Sequence, residues 1–321
     1  MNIVDSRPLM VTIRCLAYNH EPYIRQCLDG FVMQKTNFRF EAVVHDDAST
    51  DCTAAIIREY AEKYPDIIKP IFETENQYSK HDGSLRKIMD KACKGKYIAI
   101  CEGDDYWTDP FKLQKQVDIL EQNSHITLVY TAFENVDSKS HRIVRENYEN
   151  LMKRSFTGNN LPELLNMNYI LTCTTMIRRD IYNSDIYKKI SFIDFGLFLS
   201  AASYGDFYYI NEKTASYRLN PFSLTSTQKS FVGKTIFTSY LRFVKFFLGG
   251  IPKEQSKEDD LLCAKNILAQ ATKHGLIFLE RDLLRKYKTL RCNTRHYYYL
   301  ELKCFITDFL GSKKKYNFGI S

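Results

Sequence analysis

The chain has 321 residues, 44% of them apolar and 14% aromatic, enough to bury a sizeable core and to exclude general disorder. Forty-five Lys and Arg against 38 Asp and Glu leave a net charge of +7, too mild to mark a nucleic-acid binder; from Lys229 onward basic residues outnumber acidic ones eighteen to eight, so the excess belongs to the C-terminal part. Nine scattered cysteines without a CxxC pair, several inside apolar runs, argue against zinc or a disulfide scaffold and fit a reducing cytosol.

The opening MNIVDSRPLM lacks the basic-then-apolar pattern of a secretory leader. No apolar run reaches the roughly 18–20 residues of a spanning helix. The expected location is therefore cytoplasmic, either free or peripheral on the inner face of the cytoplasmic membrane.

In chain order, Met10–Ala17 and Phe40–His45 read as strands, rich in β-branched residues and bounded by polar clusters. Between them Pro22–Gln34 carries apolar residues at helical spacing, and Asp51–Tyr64 repeats that pattern. Ile67–Phe72 is a strand, Asp82–Lys94 a helix and Tyr97–Cys101 a near-continuous apolar strand. Asp109-Pro110 opens a helix running to about Glu121, since Asp caps and Pro suits the first helical position. Thr127–Ala132 is a strand, Lys139–Asn160 a polar loop, Thr172–Arg178 a strand, Phe192–Tyr204 a helix and Phe207–Ile210 a strand. Alternating strands and helices predict an α/β unit around a mostly parallel, buried sheet. After a linker at Thr225–Ser230, helices are expected at Lys234–Leu248, Ser256–His274, Arg281–Tyr287 and Tyr297–Leu310.

Ligands of open α/β sheets bind beyond the carboxyl ends of the strands. Three polar clusters fall there: Tyr18-Asn19-His20-Glu21, Asp46 to Asp51, and Glu102-Gly103-Asp104-Asp105. Ser49 and Asp51 read equally well as helix caps. Adjacent carboxylates at Glu102–Asp105 repel unless a cation or donors neutralise them, and hard oxygen ligands suit Mg2+ or Mn2+ alongside substrate phosphates. The alternative is a solvated acidic turn. His20 and His45 read as structural residues rather than metal ligands. A G-x-S-x-G nucleophile elbow and a G-x-x-x-x-G-K-[ST] phosphate loop are both absent.

The set VTIRCLAYNHE (Val11–Glu21), VVHDDASTD (Val43–Asp51), GKYIAICEGDD (Gly95–Asp105) and FIDFGLFL (Phe192–Leu199) resembles the family 2 glycosyltransferases over about residues 8–220. The resemblance implies a GT-A, Rossmann-like fold, an inverting mechanism, a nucleotide-diphosphate sugar donor with UDP as the default nucleotide, and Mn2+ or Mg2+ as cofactor. It also implies roles. Tyr18 would stack on the base and Asp47 would bond its edge. Arg86 would meet the diphosphate or base, Asp104 the ribose, and Asp105 the metal. Asp194 would be the catalytic base, or else a plain helix cap. Glu102, Trp107, Thr174 and Thr175 would line the donor and acceptor sugar pocket, with Trp107 packing under the site as the other reading. Arg218 would be a late diphosphate ligand, or else a surface arginine.

On this reading residues 1–224 form the transferase domain and 225–321 a basic, aromatic helical extension. The acceptor would be a glycan or lipid-linked glycan hydroxyl. The extension, ending near Lys313-Lys314-Lys315, would rest on anionic membrane, pack as ordinary helices, or make a homodimer contact. Two rival functions stand beside this one. A nucleotidyltransferase would share the paired carboxylates but needs a glycine-rich loop that Met10–Glu21 lacks, and a non-catalytic sugar-nucleotide-binding module would not need Asp194.

Overall fold

The computed structural model describes residues 7–166, 168–190, 194–219 and 298. The expected helices of the C-terminal extension, residues 225–321, lie outside the described residues apart from position 298, as does the linker at Thr225–Ser230.

β1 (Leu9–Ala17) is the central strand of the parallel half of the sheet. Its alternation turns Val11, Ile13, Cys15 and Ala17, all buried, to one face. Against that face packs α1 (Ile24–Val32), through Ile24, Cys27, Leu28 and Phe31. β2 (Arg39–Asp46), α2 (Thr53–Lys63), β3 (Ile68–Phe72), α3 (Ser84–Ala92) and β4 (Tyr97–Ile100) follow in the expected order. Then come β5 (Tyr106–Trp107), α4 (Lys112–Gln122), β6 (Ile126–Val136), α5 (Glu146–Lys153), α6 (Leu161–Asn166) and β7 (Met176–Arg178). The described fold closes with α7 (Asp180–Asn183), α8 (Asp185–Ile190), α9 (Asp194–Tyr204) and β8 (Asp206–Arg218).

These strands make one eight-stranded sheet in the order β3-β2-β1-β4-β7-β6-β8-β5. β1 to β4 pair in parallel and β6 runs parallel to β8, whereas β7 and β5 are antiparallel to their neighbours. The sheet is thus mixed, with a parallel half that carries the strand-end loops.

One contact fixes how β1 and β4 approach. The Thr12 hydroxyl accepts the backbone N–H groups of Lys94 (3.1 Å) and Gly95 (2.7 Å) and donates to Glu41 Oε1. A Cβ on Gly95 would fall 2.3 Å from the Thr12 backbone nitrogen, so only glycine permits the approach.

Two sequence expectations need correction. Lys139–Asn160 is not one continuous loop, because α5 spans Glu146–Lys153 with Glu146 and Glu149 in its first turn. Thr172–Arg178 is not one strand. Thr172–Thr174 form a 3-10 turn, because the hydroxyls of Thr174 and Thr175 bond back to the carbonyls of Leu171 (2.6 Å) and Thr172 (2.8 Å), and only Met176–Arg178 joins the sheet.

Candidate functional site

The three polar clusters lie side by side at one edge of the sheet. The Asp47 N–H donates to the Ala17 carbonyl (2.9 Å), and the Gly103 N–H donates to the Leu16 carbonyl (2.9 Å). The loops after β2 and β4 are therefore both bonded to the end of β1.

The loop after β1 and the loop after β2 are stitched together by side chains. Asn19 N–H donates to Ser49 Oγ, and Asn19 Oδ1 accepts from Thr50 N–H. His20 N–H donates to Thr53 Oγ1, while Glu21 and Asp51 accept each other's neighbouring amides, Cys52 N–H and Glu21 N–H respectively. Asp51 also accepts Thr53 N–H in an Asx turn just before α2, whose N-cap is Cys52, so Asp51 does not cap the helix itself. Asn19 (φ 54°) and Ala48 (φ 61°) take the left-handed conformation that these tight reversals require, at a cost for Ala48 of about 1 kcal/mol or more.

Tyr18 stands at this edge with 46% of its surface exposed. Asp47, by contrast, is buried, and its two oxygens accept the N–H groups of Gln77 (2.7 Å) and Tyr78 (3.0 Å). It holds the loop between β3 and α3 against the end of β2. Each oxygen retains a second lone pair.

The acidic turn is built differently. Asp105 is buried and accepts the Arg218 backbone N–H at 2.8 Å. Burial first, then the charges of Asp104 and Glu102, push its carboxyl well above the usual range, against the opposing pull of that N–H. Glu102 accepts the Thr172 hydroxyl (2.8 Å), and burial followed by Asp194 and Asp104 pushes it to about 7, although the Thr172 bond and Arg14 pull the other way. The group is acidic and under-compensated.

Asp194 opens α9. Burial raises its carboxyl and Arg14 opposes the rise. Its charge is felt by Glu102 at the acidic turn and by Tyr78 at the loop that Asp47 holds.

Other expected site residues are placed elsewhere. Arg218 is not a surface arginine, and its donors are not free for a diphosphate. It is 3% exposed, with Nε on the Asp104 carbonyl, one terminal nitrogen on the Asp137 carbonyl and Ser140 Oγ, and the other on Gln26 Oε1. Its guanidinium also lies 4.6 Å from the Tyr23 ring centroid, so it clamps the acidic turn from behind. Trp107 packs under the site: it is buried, donates Nε1–H to the Cys173 carbonyl (2.8 Å) and meets Phe31 edge-on at 5.1 Å. Thr174 and Thr175 are buried with their hydroxyls turned to backbone, and Thr172 takes the place facing Glu102. Arg86 pairs with Asp90 (3.1 Å) and lies over Tyr187 at 4.1 Å. His45 is fully buried, with Nε2 3.3 Å from Glu73, and the buried Nδ1 of His20 makes no hydrogen bond.

The donor set suits a hard divalent cation. Arg218 turns its guanidinium to carbonyls and gives Asp105 only its backbone N–H. Among the described residues no three His, Cys, Asp or Glu side chains form a complete protein cage. One or two carboxylates completed by phosphate oxygens is the pattern of Mg2+ and Mn2+ in nucleotide sites. A depression of about 360 Å³ at the other end of the strands, lined by Leu9, Lys94, Lys96, Arg178, Arg179 and Asp180, holds none of this acidic chemistry.

The charge on Glu102 has a price in stability. Its folded-state affinity for a proton exceeds that of an ordinary glutamate, so the stabilisation is complete below about pH 4.5 and is lost as pH rises through 7. Glu102→Gln should therefore raise the unfolding free energy of the metal-free protein by about 1–3 kcal/mol at pH 8 and change it little at pH 4.5, as read by denaturant titration. Equal gains at both pH values would exclude the charge as the cause.

A mixed sheet with a parallel half, flanked by helices and bearing an acidic turn at the end of its fourth strand, defines a GT-A fold. The chain belongs to glycosyl transferase family 2, whose model matches residues 15–184. Similar solved structures include S. aureus TarS residues 1–349 in complex with UDP-GlcNAc, at TM-score 0.53 and 18% identity, covering 86% of this chain and 85% of that one. The mannosyltransferase PcManGT of Pyrobaculum calidifontis, in complex with GDP-Man and Mn2+, superposes at TM-score 0.56 and 16% identity over 96% of this chain and 89% of its own. An uncharacterized protein of Mycobacterium bovis is 36% identical over 215 residues, 65% of this chain, and the match spans 58% of that relative's length. The poly(ribitol-phosphate) beta-glucosyltransferase of Bacillus spizizenii is 33% identical over 121 residues, 37% of this chain and 19% of that enzyme. Among the described residues no helix is long and apolar enough to cross a membrane.

Proposed function

We propose that this chain is an inverting glycosyltransferase that moves a sugar from a nucleotide-diphosphate donor, a UDP-sugar, to a hydroxyl of a glycan or lipid-linked glycan. The observation that carries the reading is the meeting of three strand-end loops at one sheet edge, with Asp104–Asp105 in the acidic turn and Asp194 within its field. Family membership and the UDP-GlcNAc and GDP-Man complexes of similar folds support a nucleotide-sugar donor over nucleotidyl transfer.

In the proposed reaction Tyr18 covers the base and Asp47 offers its spare lone pairs to the base edge. Asp104 takes the ribose. Asp105 would hold Mn2+ or Mg2+, which when bound supplies positive charge for the diphosphate leaving group. Asp194 takes the proton of the acceptor hydroxyl as its oxygen attacks the anomeric carbon on the side opposite the departing diphosphate, so one base suffices. Arg218 and Thr172 keep the acidic turn in shape.

A thermal-shift panel of UDP-, GDP-, CDP- and dTDP-sugars, with and without Mn2+, tests this. The expected result is stabilisation by UDP-sugars that requires Mn2+, of about 3 kcal/mol at a hundredfold excess over Kd. Metal-independent shifts, or none with any nucleotide, overturn the reading.

A further inference from the structure

Gly103 sits between Glu102 and Asp104 in the acidic turn, yet its backbone makes no demand for glycine. Among the described glycines only Gly83 and Gly158 take a positive φ. What glycine supplies at position 103 is space. A Cβ there would fall 2.8 Å from Nδ1 of His20, 3.0 Å from Ile24 Cδ1 and 3.1 Å from Ala17 Cβ. The first distance is closer than packed side chains approach, so the imidazole occupies the room a side chain would need.

Both partners in this contact are held by their own backbones. Asn19, with φ 54°, turns the chain into His20, whose N–H donates to Thr53 Oγ1 at 2.8 Å. The His20 carbonyl accepts the N–H groups of Tyr23 and Ile24, each at 2.8 Å, at the head of α1. On the other side the Gly103 N–H is bonded to Leu16 near the end of β1, and the Asp105 N–H closes the turn on the Glu102 carbonyl at 3.1 Å. A push on Gly103 therefore passes to Asp104 and Asp105.

The contact is not a hydrogen bond. Nδ1 of His20 is buried and unbonded, so the ring meets the turn through shape. Leaving a buried nitrogen unpaired is unfavourable, and an apolar side chain would fill the space better if the core alone were served. The contact also has a particular address. Tyr18 precedes His20 by two residues, and Asp104 and Asp105 follow Gly103 directly. It ties the loop that would cover the base to the turn that would take ribose and metal.

We propose that His20 is a positioning residue for the donor, a spacer whose ring, seated on Gly103, fixes the distance from the loop of Tyr18 to the carboxylates of Asp104 and Asp105. The proposal rests on the reading of this edge as the nucleotide-sugar site. A nucleoside diphosphate engages both sides at once, so it binds best when their separation is set beforehand.

The probe is UDP, titrated calorimetrically in Mn2+ into the full chain as wild type, His20→Ala, Gly103→Ala and the double variant. Denaturant unfolding of each protein is measured beside it. Gly103→Ala drives the ring and the turn apart and should raise the UDP Kd about tenfold, while His20→Ala removes the spacer and should raise it about three- to fivefold. In the double variant the new methyl has no ring to strike, so UDP should bind no more weakly than to His20→Ala alone. Independent losses would instead multiply to about thirtyfold or more, and that result overturns the proposal. Wild-type Kd values in both single variants, with only the unfolding transition moved, also overturn it, because a contact that serves the fold alone behaves so. When Gly103→Ala does not fold, the other two variants decide. Their Kd values must agree and lie above that of wild type, and wild-type affinity in His20→Ala refutes the spacer. A wild-type chain that binds no UDP removes the donor reading and the spacer with it, whereas bound UDP with a Kd indifferent to these substitutions removes the spacer alone.

Discussion

Asp194→Asn is expected to lower kcat by about 10²–10⁴-fold while leaving the Kd for the nucleotide donor within about threefold. The amide keeps the size of the side chain and can still sit at the head of α9, but it cannot take a proton. Since burial holds the Asp194 carboxyl above the ordinary range, wild-type kcat should climb with pH through a limb higher than that of an exposed aspartate, and the residual rate of the variant should lack that limb. Single-turnover transfer and isothermal titration with the donor measure the two quantities separately. Unchanged transfer would falsify the base assignment and leave a binding module as the better description.

Asp105→Asn acts on the other half of the reaction. Its oxygen can still accept the Arg218 N–H, so the turn should keep its shape while the cluster loses a charge. Metal-dependent donor affinity should fall by about a hundredfold and transfer by more, because both ground-state binding and leaving-group departure rely on that charge. Titration of the donor in Mn2+ and in EDTA reads the effect. Wild type should differ strongly between the two conditions and the variant hardly at all. If the variant binds donor in Mn2+ as tightly as wild type does, the metal lies elsewhere.

Much of this architecture is legible in the residue pattern, and the places where it is not have local causes. β1 to β4 show up because apolar, β-branched runs alternate with helical spacing, and their carboxyl ends carry the clusters that meet in space. β5 has two residues, too few for any period, and α7 and α8 are scarcely longer than a turn. The threonines before β7 look β-forming until their hydroxyls bond to nearby carbonyls. β8 runs on to Arg218 through the polar Asn211-Glu212-Lys213, which face outward at that edge and so carry no core signal. Arg218 reads as a phosphate ligand from its position alone, and only its carbonyl partners reveal a clamp.

The clamp made by Arg218 joins residues that are far apart along the polypeptide, since its partners Gln26 and Asp104 precede it by 192 and 114 positions. All three strand-end loops at this edge are synthesised long before that arginine emerges from the ribosome. During translation the acidic turn therefore precedes its clamp, and β8, the last of the described strands, braces it as a keystone braces an arch.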